Sequence, residues 1–151
     1  MKREATHYLV VHCSATKPSQ DVGVEEIRRW HTDPPPAGRG WADIGYHFVI
    51  RRDGSAEVGR FTEDVGAHVE GHNAVSLGIC LVGGLNEQGE AAPEYTAEQW
   101  NALRVVLLGL SGRWPNAEVR GHRDFDGVKK ACPSFDVREW WADAKNLGAR
   151  G

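Results

Sequence analysis

The sequence has few cysteines, no long apolar segment and no excess of positive charge. It has only three cysteines, which are too few for a disulfide framework. Because three is an odd number, at least one thiol stays free. No stretch approaches the roughly 20 apolar residues of a membrane span, and charged residues interrupt the short apolar run near the start, unlike a signal peptide. A net charge of −3 without basic runs argues against nucleic-acid binding. We therefore expect no membrane or nucleic-acid partner, and synthesis in the cytoplasm without an export signal.

What is present indicates one globular domain over residues 1–151. Apolar residues make up 40% of the chain, as in ordinary globular proteins. A chain of this length buries roughly 68–70% of its unfolded surface, so its core needs no disulfide to fold. We therefore expect one domain with one core.

Hydrophobic periodicity predicts alternating strands and helices. Continuous apolar runs are typical of buried strands, and the turn residues Asp53 and Gly54 are typical of a hairpin. Thr96 and Gln99 form a capping box, and Asp136 is a good helix N-cap. The predicted elements are strand 8–13, helix 24–31, hairpin 46–61, strand 77–83, helix 96–110, strand 117–122 and helix 137–146. This order predicts an α/β fold with a single-layer mixed β-sheet flanked by helices.

Two of the seven histidines stand at positions that favour a function. His12 and His122 each lie at the carboxyl end of a predicted strand, where α/β sheets open into their binding crevice. Most histidines in a protein are structural, so position is the reason to single these two out.

The three cysteines differ in their surroundings. Cys13 and Cys80 lie in apolar runs and are interpreted as core residues. Cys13 also points away from His12, since neighbouring strand residues face opposite sides. Cys132 lies outside any apolar run, directly before Pro133, and a nearby lysine would favour its thiolate. Cys132 is therefore the candidate for chemistry.

A catalytic zinc ion would explain these positions together. Such an ion takes three protein ligands, and two histidines with one cysteine are an accepted set. His12, His122 and Cys132 can converge if the strands ending at 12 and 122 are neighbours. The same residues also permit a cysteine peptidase, with Cys132 as nucleophile and His122 as its base.

The segment HVEGH, residues 68–72, offers a competing metal motif. Its histidines have the i, i+4 spacing of the metalloprotease helix, but Glu70 is not directly after the first histidine. Gly66 and Gly71 also disfavour a helix. We interpret the segment as a loop that borders the site.

Several motifs in order resemble the zinc-dependent N-acetylmuramoyl-L-alanine amidases, and within them the single-domain lysozymes (endolysins) of T-odd bacteriophages. This family shares its fold with peptidoglycan-recognition proteins. The resemblance runs over about residues 8–142. It is carried by VHCSATKPSQ (11–20), VGVEEIRRWH (22–31), DIGYHFVIRRDG (43–54), GICLVGG (78–84) and KACPSFDVREWW (130–141).

The resemblance implies a function and a set of site residues. One zinc ion would be bound by His12, His122 and Cys132, for hydrolysis of the amide between N-acetylmuramic acid and L-alanine in bacterial peptidoglycan. Tyr46 and Lys130 would be catalytic. His68 would line the substrate groove.

The resemblance also implies a biological setting. The enzyme would act on peptidoglycan after release from the host cytoplasm, as a monomer, during phage lysis; a cell-wall recycling role is the alternative. Some phage relatives also bind their phage's RNA polymerase, a partner that no spacing locates here. A non-catalytic peptidoglycan-binding module is a further alternative, although such members typically lack the cysteine ligand.

Two segments depart from the family pattern. DPPPAGRG, residues 33–40, lengthens the loop before Trp41 and is expected to reshape one wall of the groove. The middle of GHRDFDGVK, residues 121–129, also differs, which leaves open whether Lys130 or Lys129 reaches the substrate.

Overall fold

The computed structural model describes residues 1–147 and contains one five-stranded mixed sheet. The strands are β1 (Tyr8–Cys13), β2 (Phe48–Ile50), β3 (Ala56–Val58), β4 (Ser76–Leu81) and β5 (Glu118–Gly121). Their order across the sheet is β3-β2-β4-β1-β5. β1 is parallel to both β4 and β5, β2 is parallel to β4, and β3 is the antiparallel edge strand. The predicted mixed sheet is confirmed; the last four residues of the predicted domain lie outside the described residues.

Within residues 1–147, three α-helices flank the sheet: α1 (Val24–Thr32), α2 (Ala97–Arg113) and α3 (Val137–Ala144). The predicted N-caps are confirmed for the last two. The Thr96 hydroxyl accepts from the Gln99 N–H at 3.1 Å, and the Asp136 carboxylate accepts from the Glu139 N–H at 3.1 Å. Each cap satisfies a backbone donor that the first helical turn leaves without a partner.

The two faces of the sheet are covered differently. On what we call the helical face, Leu9, Val11 and Cys13 pack into an apolar cluster with Leu103 and Leu107 of α2. Alternation along the strand sends His12 to the opposite side. We call that side the groove face.

Helix α1 covers part of the groove face. Its residues Val24 and Ile27 pack against Val49 and Cys80 of the sheet. Cys13 and Cys80 are both buried, as interpreted from the sequence. Elsewhere on the groove face, the loop residues Val69 and Phe125 pack against Val10 of β1.

The hairpin is shorter than predicted. β2 begins at Phe48 rather than at Tyr46, although the Tyr46 carbonyl still accepts from the Arg60 N–H at 2.9 Å. Asp53 and Gly54 lie in the turn, where Gly54 has a φ of 87° that favours glycine. Tyr46 therefore lies just before β2, where it is free of the regular strand alternation.

Candidate active site

Three potential metal ligands meet at one edge of the sheet. His12 lies in β1, His122 directly follows β5, and Cys132 lies in the loop before α3. The strands ending at these histidines are parallel neighbours, as the zinc hypothesis required, so both imidazoles come to the same edge. The ring centroids of His12 and His122 are 4.5 Å apart. One potential ligand atom from each of the three residues lies within 4.8 Å of the others.

The loop that carries Cys132 is tied to the sheet. The N–H of Cys13 donates to the Cys132 sulfur at 3.1 Å, and the Arg123 N–H donates to the Cys132 carbonyl at 2.9 Å. The buried Tyr95 hydroxyl donates to the Pro133 carbonyl at 2.7 Å. Sequence reasoning missed Tyr95, because only the fold brings it to a residue 38 positions away.

The protonation states suit a metal that prefers nitrogen and sulfur ligands. Burial lowers the pKa of His12 well below its usual value, with nearby His68 adding to the effect. Burial, and then the charge of Lys130, also lower the pKa of His122. Both rings are therefore neutral near pH 7, and a neutral imidazole has the lone pair that a metal needs.

Cys132 is a protonated thiol in the metal-free protein. Its side-chain contact with the Cys13 thiol and then its burial raise the pKa of Cys132, and outweigh the Cys13 N–H, which lowers that pKa. Only the thiolate binds a metal, so binding would release this proton. Two neutral imidazoles and one thiolate match the ligand set of a catalytic zinc site.

An open groove of about 1340 Å³ runs over the three ligands. Tyr46 lines it, with its ring centroid 5.1 Å from that of His12. Burial raises the pKa of the Tyr46 hydroxyl well above its usual value, so it is a hydrogen-bond donor rather than a base.

Lys129 and Lys130 both line the groove and both are exposed. The positive charge of Lys130 lowers the pKa of His12 and of His122. This electrostatic effect favours Lys130 as the lysine nearer to the ligands.

The HVEGH segment is a loop beside the site, as interpreted from its glycines. His68 is nearly buried and lines the groove, and its Nδ1 is 2.9 Å from Nε2 of His12. The structure therefore places His68 against a candidate ligand. Its predicted role toward the substrate stays a prediction.

The lengthened loop at residues 33–40 reaches one wall of the groove. Arg39 stacks over the ring of Trp41 at 5.0 Å, and both line the groove. His31 lies behind them and accepts from the Gly45 N–H through Nδ1 at 2.9 Å. Burial lowers the pKa of His31 to about 4. Sequence reasoning did not select His31, because a histidine at the end of a short helix has no distinguishing pattern.

The chain is similar to known proteins over most of its length. Residues 2–135 match the family described as "N-acetylmuramoyl-L-alanine amidase". The chain is 48% identical to the endolysin of Klebsiella phage KP32 over 140 residues, covering 93% of this chain and 88% of that one. It is 47% identical to the endolysin of Escherichia phage T7 with the same coverage. Its fold is similar to the Ph2119 endolysin from a Thermus scotoductus bacteriophage, with a TM-score of 0.77, 30% identity, and coverage of 96% of this chain and 88% of that one.

Proposed function

Because this chain belongs to the N-acetylmuramoyl-L-alanine amidase family, we propose that it cleaves peptidoglycan with a zinc ion bound by His12, His122 and Cys132. The protein is an amidase, and its reaction is hydrolysis of the amide between N-acetylmuramic acid and L-alanine. The observation that carries the zinc assignment is the convergence of the three ligand atoms within 4.8 Å in the groove.

An amide has a weakly electrophilic carbonyl and a poor leaving group, so both need assistance. Zinc, when bound, supplies a Lewis acid that polarises the carbonyl and lowers the pKa of water from 15.7 to about 7. His12, His122 and Cys132 would hold the ion, and three protein ligands are the number that catalytic zinc sites use.

Lys130 would stabilise the negative charge that develops on the carbonyl oxygen. Its charge already acts on both histidine ligands, which supports a position beside the reacting group. Positioned donors of this kind contribute roughly 3–4 kcal/mol to transition-state stabilisation. Lys129 provides a matched control, since it is adjacent, exposed and also in the groove.

Tyr46 would act as a hydrogen-bond donor. Its raised pKa keeps the hydroxyl protonated at neutral pH, so it can orient a water molecule or pass a proton toward the departing amine. The free amine of L-alanine needs that proton to leave.

The first experiment measures metal and product together. We expect about one zinc per chain, and mass spectrometry of digested peptidoglycan should show peptides with a free L-alanine amine. A chelator should abolish release, and added zinc should restore it. Activity that survives chelation but not thiol alkylation would indicate the cysteine peptidase. Zinc-loaded protein that binds wall fragments without cleaving them would indicate a binding module.

The second experiment assigns the groove residues. Lys130→Ala should lower kcat/KM by roughly 100-fold or more, whereas Lys129→Ala should stay close to the unmodified enzyme. Tyr46→Phe should keep zinc but lose most activity. An active Tyr46→Phe enzyme, or a larger defect in Lys129→Ala, would contradict these assignments.

The endolysin relatives indicate the biological use of the reaction. In a phage this amidase serves host lysis, and we infer that it reaches the peptidoglycan after release from the cytoplasm. Within residues 1–147, every helix is too short or too polar to cross a membrane.

A further inference from the structure

We propose that His68, supported by Ser76, is a positioning residue that fixes the tautomer of His12 and thereby presents the Nδ1 lone pair of His12 to the metal. The inference rests on the proposed function only for the presence of a metal ligand at His12. It assigns to the polar atoms of His68 a role inside the protein rather than toward the substrate.

The direction of the hydrogen-bond chain begins at Ser76. The Ser76 oxygen is 2.8 Å from the carbonyl oxygen of His72, and a carbonyl can only accept, so the single hydroxyl hydrogen is used there. The same Ser76 oxygen is 3.2 Å from Nε2 of His68. Ser76 can only accept in this second contact, and therefore Nε2 of His68 carries a hydrogen.

The next link depends on the chemistry of a neutral imidazole. A neutral ring has one N–H and one lone pair, so Nδ1 of His68 is an acceptor. Nε2 of His12 lies 2.9 Å from that atom and must donate to it. The lone pair of His12 is then on Nδ1. Such outer contacts orient metal-binding histidines and fix which nitrogen is protonated.

The position of His68 is built into the fold. The Asn73 side-chain oxygen accepts from the N–H groups of His68 and Val69, each at 2.9 Å, which holds the loop. Gly78 of β4 leaves room for the ring, because a Cβ at that position would lie 2.7 Å from Cγ of His68. Ser76 is fully buried and His68 is 9% exposed, so water competes weakly for these hydrogen bonds.

The first test needs neither metal nor substrate. Nuclear magnetic resonance of the metal-free protein, labelled with ¹⁵N at histidine, reports which ring nitrogen carries the hydrogen. We expect His12 and His68 to be protonated at Nε2 and unprotonated at Nδ1. A His12 ring protonated at Nδ1, or one exchanging between both tautomers, would overturn the proposal.

The second test uses substitutions that separate the two ring nitrogens. The amide of glutamine reaches the position of Nε2, so His68→Gln keeps a partner for Ser76 but removes the acceptor for His12. The amide of asparagine reaches the position of Nδ1, so His68→Asn keeps that acceptor. Zinc affinity, measured by competition with a chelator, should fall about 10–100-fold in His68→Gln and much less in His68→Asn.

His47 provides the matched control. It is fully buried and uses both ring nitrogens, with Nδ1 accepting from the Gly78 N–H at 3.0 Å and Nε2 donating to the Asp64 carbonyl at 2.8 Å. It makes no hydrogen bond to His12 among the described contacts. His47→Gln should therefore keep the zinc affinity and the His12 tautomer. Equal losses in His47→Gln and His68→Gln would reduce His68 to a packing residue.

These outcomes are independent of catalysis. Ser76→Ala extends the test if His68→Gln does not fold, because it removes only a hydroxyl and should introduce the second tautomer of both histidines. A protein with the expected tautomers that releases no peptide would contradict the proposed function alone. An active amidase with His12 protonated at Nδ1 would contradict this inference alone.

Discussion

The two faces of the sheet are stabilised by different kinds of contact, although the same strands form both. On the helical face, Leu9 and Val11 of β1 meet Leu103 and Leu107 of α2, and burial alone makes these contacts favourable. On the groove face, outside the apolar part that α1 covers, the buried groups include imidazoles and hydroxyls such as those of His12, His47 and Ser76. A buried polar group is costly unless it is hydrogen-bonded, so this face depends on specific partners.

This difference between the faces predicts that the helical face determines folding stability and the groove face determines metal binding and catalysis. Apolar contact on the helical face has no preferred direction, and its strength depends on close packing. The groove face requires each donor to meet its acceptor, which also keeps the rings of His12 and His68 in fixed positions. Disturbing one face should therefore change folding, and disturbing the other should change metal binding and catalysis.

The largest expected change in stability is at the helical face. Leu107→Ala should lower the free energy of unfolding by about 2–5 kcal/mol, because it removes a buried side chain and leaves a cavity. Urea unfolding measures this loss. The folded fraction should keep zinc and activity per molecule.

His122→Ala is the counterpart on the groove face. His122 is partly exposed, so its removal should change the unfolding free energy of the metal-free protein far less than Leu107→Ala. It should nevertheless abolish zinc binding and amide hydrolysis. If instead the leucine variant loses activity while fully folded, the two faces are not separable.

An intermediate effect is expected from pH, and it acts through the groove face. Burial lowers the pKa of His47 to about 4, whereas an unfolded histidine has a pKa of about 6.5. Below pH 6.5 the unfolded chain takes up a proton that the folded protein cannot accept, so stability falls as pH falls. At about 1.4 kcal/mol per pH unit, this histidine alone costs roughly 3 kcal/mol between pH 6.5 and 4.

Denaturant unfolding of metal-free protein at several pH values would measure that slope. In His47→Gln the unfolding free energy should change less steeply with pH, by the amount that uptake of about one proton on unfolding contributes. The variant should be less stable overall. An unchanged slope would show that His47 becomes protonated without unfolding.

The smallest effect concerns the start of α2. Thr96→Ala should lower the unfolding free energy by about 1 kcal/mol, since the Gln99 N–H loses its partner. Thr96→Ser keeps the hydroxyl and should be close to the original protein. Both should leave zinc affinity unchanged, as expected for the helical face; a loss of zinc would link the cap to the groove.

Local patterns in the sequence predicted most of the strands and the three candidate ligands. The run at residues 8–13 is β1 as predicted, and the rule that parallel strands expose their carboxyl ends together brought His12 and His122 to one edge. Cys132 was singled out because it stands outside any apolar run.

The rest of the site depends on contacts between distant residues. The Tyr95 bond to Pro133 spans 38 positions and the His12 bond to His68 spans 56, and neither leaves a local pattern. The choice between Lys129 and Lys130 stayed open for a similar reason, because the segment around them has no strand or helix period. In the structure, the charge of Lys130 acts on the histidines.

The position of β1 between β4 and β5 has a consequence for how the protein is made. β1 is synthesised first, yet both of its neighbours, β4 and β5, come much later in the chain. Cys13 and Cys132, which meet in the folded protein, are 119 positions apart. Non-local pairing of this kind correlates with slower folding, and β1 cannot pair with β5 before residue 121 has been synthesised. A growing chain that has not reached β5 contains His12 without His122 and Cys132, so the proposed metal site is incomplete until residue 132 has been synthesised.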